Sequence, residues 1–323
     1  MNQTQSPCPP KQILVIGSAC VDVIISLHHL PRTQEDLHPT GHALSLGGCA
    51  YNTASSIRLF GAPVTLISPV GSGLYGEFTA RELEKKGFPA AIRVPDQENG
   101  CCYCLVEAGG ERTFLSWHGA EYTFQKSWMD AFDNASFDMV YICGLEIEEP
   151  TGYELIEYLE RYPKRELFFA PGPRGIFIEK EKMKRLYALH PVLHINESEA
   201  LALSGESAKK PEPAYGETPI ERAARILLSE TGNTVIVTLG EQGSFCLEQG
   251  GRSYYVPAVP AQTVDAIGAG DSHIGAVMAC LSLGRPMRDA IETAGRMAAA
   301  VVGVRGSTLT EKEFQKVFQS GPL

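Results

Sequence analysis

The sequence predicts an α/β protein with a doubly wound, mostly parallel central sheet and a small β-sheet lid standing beside it. Two observations predict this. From "DMVYICG" onward, short apolar runs alternate with amphipathic stretches, and two earlier regions near residues 20–48 and 98–118 break that rhythm with strands set back to back. Alternation of strand and helix gives a parallel sheet covered on both faces by right-handed crossovers. The chain of 323 residues is long enough for this to be one domain with a buried core, the lid arising from the two insertions.

The elements follow in order. "QILVIG" is a short apolar run ended by glycine, as a buried strand should be, and "DVIISL" and "GHALSLGG" are the strands of the first insertion. "CAYNTASSIRLFGA" carries Ala54, Ile57 and Leu59 before the stop at Gly61, a helical pattern. "VTLISPVG" reads as a strand, "YGEFTARELEKKG" as a helix, and "CCYCLVEA" with "ERTFLSW" as a hairpin across "GG". The pairs "DMVYICG"/"GYELIEYLERY", "ELFFA"/"KEKMKRLYALH" and "VLHIN"/"ESEALALSG" then repeat the strand-helix unit. After a polar, proline-bearing loop at 206–217 come "IERAARILLSETG", the strand "NTVIVTLG", the hairpin "GSFCLE" to "RSYYVP", and three helical stretches.

Composition bounds the partners. A formal net charge of −10 opposes a polyanion on a broad basic surface, so nucleic acid is not an expected partner. "MNQTQSPCPPKQ" reads as a loose polar tail without the basic and apolar segments of a secretory signal, and no apolar run has the length of a membrane span. A cytoplasmic location is expected. The nine cysteines, an odd number, fit reduced thiols in core segments. Cys102 and Cys104 share one face of a strand next to Cys101, yet no paired Cys or His set at zinc spacing lies near them in the sequence, so no metal is assigned to them.

"TVDAIGAGDSHIGAV" carries the chemistry. Gly268, Ala269 and Gly270 allow close approach of a ligand to the backbone at the start of a helix. There unpaired N–H groups and the helix dipole favour an anion. Asp271 beside such an anion suggests a base for a hydroxyl attacking phosphorus, against the plainer role of helix cap. "GSGLYG" at 71–76 matches a dinucleotide fingerprint, but Asp96, the nearest acid to close the next strand, lies in what reads as the loop "VPDQEN". No G-x-x-x-x-G-K-[ST] loop is present, so ATP would need another cradle.

"GGCAYN", "NESE", "TLGEQGS" and "DAIGAGD", in that order, resemble the ribokinase-like (PfkB) carbohydrate kinase family over nearly the whole chain. The resemblance implies that Asp271 is the catalytic base, with Gly268, Ala269 and Gly270 as the anion hole for the transferred phosphoryl group. It implies that Asn196 and Glu199 organise Mg²⁺ and phosphates, Glu199 through water, and that Thr238, Gly240 and Gly243 turn around ATP. Asp22, Gly47, Gly48 and Asn52 fall where the family grips sugar hydroxyls, with Glu146 a further acid on that side. Asp265 matches a position associated with a monovalent cation such as K⁺. In this family "GSGLYG" becomes a turn usually written G-x-D-x-x-G, with Gly73 in place of the acid.

The departures are specific. Ala266 stands where the family most often has Thr, His273 where it usually has Phe, and Cys20 and Cys49 where ribokinase has Asn and Lys. Arg174 in "APGPRG" could meet an anionic substrate or solvent. The expected activity is transfer of the γ-phosphoryl group of Mg·ATP to a hydroxyl of a small sugar. A nucleoside acceptor, stacked on Tyr103, Phe114 or Trp117, and a non-catalytic sugar or nucleotide sensor are the alternatives. An exposed lid edge could pair with a second copy to form a homodimer.

Overall fold

The computed structural model describes residues 9–132, 136–206 and 216–318; most of the N-terminal tail and of the loop at 206–217 lies outside them. Fourteen strands are defined: β1 (Ile13–Ile16), β2 (Cys20–Ser26), β3 (Gly41–Gly47), β4 (Val64–Ile67), β5 (Pro69–Ser72), β6 (Ile92–Glu98), β7 (Cys101–Val106), β8 (Arg112–Trp117), β9 (Met139–Cys143), β10 (Glu166–Ala170), β11 (Val192–Asn196), β12 (Val235–Thr238), β13 (Ser244–Leu247) and β14 (Ser253–Val256). The main sheet has eight strands in the order β14-β13-β12-β11-β10-β9-β1-β4. The six from β12 to β4 are parallel, and β13 and β14 close one edge as an antiparallel hairpin.

Period-two alternation along these strands feeds two cores. Ile13, Val15, Tyr141 and Phe168 point into one, shared with the helices Cys49–Leu59, Ala269–Ser282 and Met287–Val302. Leu14, Ile16, Val140 and Phe169 point into the other, shared with Gly152–Glu160, Lys180–Tyr187 and Pro219–Thr231. A strand buried on both faces must be apolar throughout, which is why "ILVI" and "MVYIC" lack polar residues. The last of these helices begins with Pro219 after a Thr218–Glu221 capping box and ends at Gly232 in the left-handed region, the chemistry its sequence calls for.

The second sheet has the order β3-β2-β7-β8. Val21, Val23 and Cys101 on its one face pack toward Tyr75 and Phe78 of the helix Gly73–Lys85. The residues between them in sequence, Cys20, Asp22, Cys102 and Cys104, occupy the other face.

One stretch departs from the sequence reading. "VTLISPVG" is broken at Ser68, and its second half, β5, pairs with β6 in a separate two-stranded ribbon. Asp96 therefore lies in a strand, not in a loop, and is exposed there. The sequence hides β6 because its outer half, "PDQE", is polar and solvent-facing, without the apolar alternation that marks a buried strand.

Candidate active site

In open α/β sheets the crevice outside the carboxyl ends of the strands is where ligands bind. Of the predicted residues, Asn196, Thr238 and Glu146 lie at those ends. Asn196 and Thr238 close the neighbouring strands β11 and β12 and are register partners. Gly17 and Ser18 follow β1, and Glu146 follows β9.

A cleft of about 630 Å³ opens between the β12–β13 turn and the helix Met287–Val302, within the range of small-molecule sites. Thr238, Gly240 and Gly243 line one wall, Ala298 and Ala299 the other, and Ala269 and Gly270 border it. Gly268 caps the helix Ala269–Ser282 with φ of 74°. A Cβ there would lie 2.2 Å from the carbonyl oxygen of Ser307, so only glycine lets the loop lie this close to its neighbour. The first helical turn leaves its amides without carbonyl partners inside the helix, and their positive end faces the border of the cleft.

Asp271 follows directly. Asn52 Nδ2 donates to its Oδ2 at 2.9 Å, and Ser307 Oγ donates to Asn52 Oδ1 at 2.7 Å, which fixes the way round the amide stands. Burial raises the Asp271 carboxyl to about 6, and the hydrogen bonds from Asn52 and Cys49 hold it from going higher. Asp271 thus stays mostly ionised at neutral pH while remaining basic enough to take a proton.

Asp22 projects from β2 beside Gly47, where a Cβ would meet its Oδ2 at 2.1 Å. Burial and then the charges of Asp271 and Asp265 raise its carboxyl to about 7. Gly48 is the N-cap of the helix Cys49–Leu59, which carries Asn52. Glu146 is fully buried: its Oε1 accepts from the Ser18 amide at 2.7 Å, its Oε2 has no hydrogen-bond partner among the described residues, and burial raises it to about 7. Asp22, Asn52 and Asp271 therefore stand near one another, and Gly270, the residue before Asp271, lines the cleft.

Asn196 and Glu199 form a capping box on the helix Glu197–Ser204. Asn196 Oδ1 accepts from the Glu199 amide, and the Glu199 oxygens accept from the Asn196 amide at 3.0 Å and its Nδ2 at 2.8 Å. Each Glu199 oxygen keeps a lone pair for a water, which fits an indirectly held Mg²⁺.

Asp265 is different. Its Oδ1 accepts from the Ile267 amide at 2.9 Å and its Oδ2 from the Gly306 amide at 3.1 Å, and Arg112 Nη1 lies 2.5 Å from Oδ1. Asp265 is 6% exposed and its charge is already met by a guanidinium, so this set does not fit a monovalent metal ion. Sequence reading missed Arg112: it opens β8, and nothing local to "GERTF" marks a partner so far along the chain.

Two other departures are resolved. His273 is buried between His194, at 3.0 Å from its Nδ1, and Ser244, at 3.2 Å from its Nε2. Burial lowers both histidines, His273 to about 4, so the pair is neutral and each ring nitrogen of His273 is used in packing. Arg174 makes a two-pronged contact with Glu148 and is held there rather than facing the pocket.

The structure thus brings together a helix that starts on glycine at the border of a cleft, a carboxylate held by an asparagine, and a second sheet that carries Asp22. The decisive observation is that the model for "pfkB family carbohydrate kinase" matches residues 10–313. The chain belongs to the pfkB family of carbohydrate kinases. It is thus a phosphotransferase with an alcohol group as acceptor. This PfkB kinase is 32% identical over 297 residues to "Uncharacterized sugar kinase YegV" of Escherichia coli strain K12, covering 92% of this chain and 90% of that one. It is 26% identical over 269 residues to ribokinase of Mus musculus, covering 82% and 80%. Its fold matches the crystal structure of adenosine kinase from Sinorhizobium meliloti with a TM-score of 0.81 at 20% identity, covering 97% of this PfkB kinase and 100% of that chain. Among the described residues no helix is long and apolar enough to cross a membrane.

Proposed function

We propose that this PfkB kinase binds ATP in the cleft and transfers its γ-phosphoryl group to a hydroxyl of a small sugar held against the lid. The observation that carries the proposal is the Asn52–Asp271 hydrogen bond, which sets a carboxylate of raised pKa between the acidic pocket and the glycine-rich helix start. Asp22, Asn52 and the Gly47–Gly48 turn grip the acceptor, and a hydroxyl near Glu146 would satisfy its orphaned Oε2. Asp271 takes the proton from the attacking hydroxyl at its carboxylate, while the amides of Gly268, Ala269 and Gly270 bind the oxygens of the transferred group. Thr238, Gly240 and Gly243 hold the nucleotide. Asn196 and Glu199 would hold Mg²⁺ through water, and the ion when bound neutralises phosphate charge.

Arg112 ties the lid to the loop that starts the anion site, so the lid excludes water when it lies in this position. No step requires a metal at Asp265. The exposed Leu44, Leu115 and Trp117 support a homodimer through the lid.

The lid register favours a free sugar over a nucleoside. Tyr103 and Trp117 lie on the face turned to the helix Gly73–Lys85, and of the three aromatics only Phe114 shares the Asp22 face. A base would thus find one ring to stack on. Thermal shift separates the two: a sugar at about 100 times its Kd adds roughly 2.7 kcal/mol to stability and raises the melting temperature by several degrees. The expected result is stabilisation by one free sugar or sugar acid and none by nucleosides. Stabilisation by nucleosides alone would move the assignment to a nucleoside kinase.

A further inference from the structure

Cys102 and Cys104 project from the lid strand β7 onto the face that carries Asp22. Parallel pairing of β2 with β7 sets Asp22 opposite Cys102, and antiparallel pairing with β8 sets Ser116 opposite it on the far side. The two thiol sulfurs are 3.9 Å apart, and ligand atoms of Asp22, Cys102 and Cys104 all lie within 4.8 Å of one another. Two zinc–sulfur bonds of about 2.3 Å meeting at a tetrahedral angle span about 3.8 Å, so the sulfurs are already at the separation a shared ion needs. The surroundings of Asp22 also include the Asp271 carboxylate, which favours a cation at this place, while Asp265 is already paired with Arg112.

We propose that Asp22, Cys102 and Cys104 form a binding site for a thiophilic divalent cation of the Zn²⁺ or Cd²⁺ type, with its fourth position open to the acceptor pocket. The donor set decides the class of ion. Two thiolates and one carboxylate suit a borderline or soft tetrahedral ion, whereas Mg²⁺ takes oxygen ligands in octahedral geometry. Binding forms two metal–sulfur bonds and one metal–oxygen bond, and the two thiol protons, with that of Asp22 where it is protonated, pass to solvent. No oxidation is involved. Ser116 Oγ, 3.6 Å from Cys102 Sγ, donates to that sulfur and supports its charge.

This inference rests in part on the reading that Asp22 grips the acceptor. An ion that engages Asp22 removes it from the sugar, so it competes with the acceptor and not with ATP. The nucleotide cleft shares none of the three ligands.

The test uses the full chain, reduced and metal-free. Equilibrium dialysis with Zn²⁺, and Cd²⁺ titration followed by the ultraviolet thiolate charge-transfer band, should give one ion per chain. The band should weaken in Cys102→Ser and in Cys104→Ser, with affinity falling at least about tenfold in each. Asp22→Asn keeps both thiols and should weaken binding without removing the band, which guards against a misfolded cysteine variant. Binding that is unchanged in the Cys102→Ser/Cys104→Ser double variant overturns the site, as does failure of wild type to bind at stoichiometric metal. With the acceptor identified, Zn²⁺ well below the Mg·ATP concentration should raise KM for the acceptor and leave KM for ATP unchanged. A rise confined to the ATP side would overturn the overlap with the acceptor. The dialysis needs no turnover, so its failure is distinguishable from failure of the kinase reading.

Discussion

Asp271→Asn should retain the fold and bind ATP, yet lose at least about 10² in turnover, which corresponds to roughly 2.7 kcal/mol of transition-state stabilisation. The fold survives because the substituted amide is the same size and its oxygen still accepts from Asn52 Nδ2, which Ser307 holds in place. What disappears is the proton acceptor. The same group sets the pH dependence. A base is active when ionised, so wild-type turnover should fall as pH drops through about 6, where burial has raised Asp271. For stability the sign is opposite. A carboxyl raised above its unfolded value binds more protons folded than unfolded, so it favours the folded state at low pH and less so as pH rises through about 6. Asp22 and Glu146, both raised to about 7, act in the same sense. Near-normal turnover in Asp271→Asn, measured as ADP release at saturating substrates, would remove Asp271 from the mechanism.

The second large effect is expected at Gly268→Ala. The residue has φ of 74°, and its new Cβ would stand 2.2 Å from the Ser307 carbonyl oxygen, a backbone atom that cannot simply rotate away. Strain of about 1–3 kcal/mol follows, and the helix start must shift. Displacing the amides from the transferred group should cost about 10² to 10³ in kcat. Ser307 also orients Asn52, so the shift reaches the base through a second route. Gly270→Ala provides the contrast, because among the described residues its Cβ would meet nothing within 4 Å beyond its chain neighbours and its own helix backbone. It should melt like wild type, whereas Gly268→Ala should melt several degrees lower; equal melting and equal kcat in both would refute the account of the loop.

What the sequence made legible follows from how local each signal is. The main sheet was readable because strand segments buried on both faces are apolar, and "ILVI", "MVYIC" and the "VIV" that opens β12 are separated by helices with glycine stops. The ribbon strand β6 was not, since its exposed half carries no apolar period. Asp271 and its glycines are contiguous and could be found as a motif. Arg112 and Ser307 act on Asp265 and Asn52 across long stretches of chain, and no local pattern encodes either contact. Likewise the cysteines of β7 lacked a metal-like neighbour in sequence. The third group, Asp22, arrives only through strand pairing. His273 shows the reverse case: an unusual residue at a motif position, whose meaning is packing with His194 and Ser244 rather than chemistry.

The central claim is that a phosphoryl group passes from ATP directly to an acceptor hydroxyl at Asp271. The most direct measurement is the stoichiometry of ADP and phosphorylated acceptor formed by wild type with Mg·ATP, followed by phosphorus NMR with and without the sugar that stabilises the protein. The account predicts the two products in equal amounts, with no appreciable ADP when the sugar is omitted. Saturable binding of both ligands without either product, or ADP and free phosphate formed whether or not the sugar is present, would contradict it.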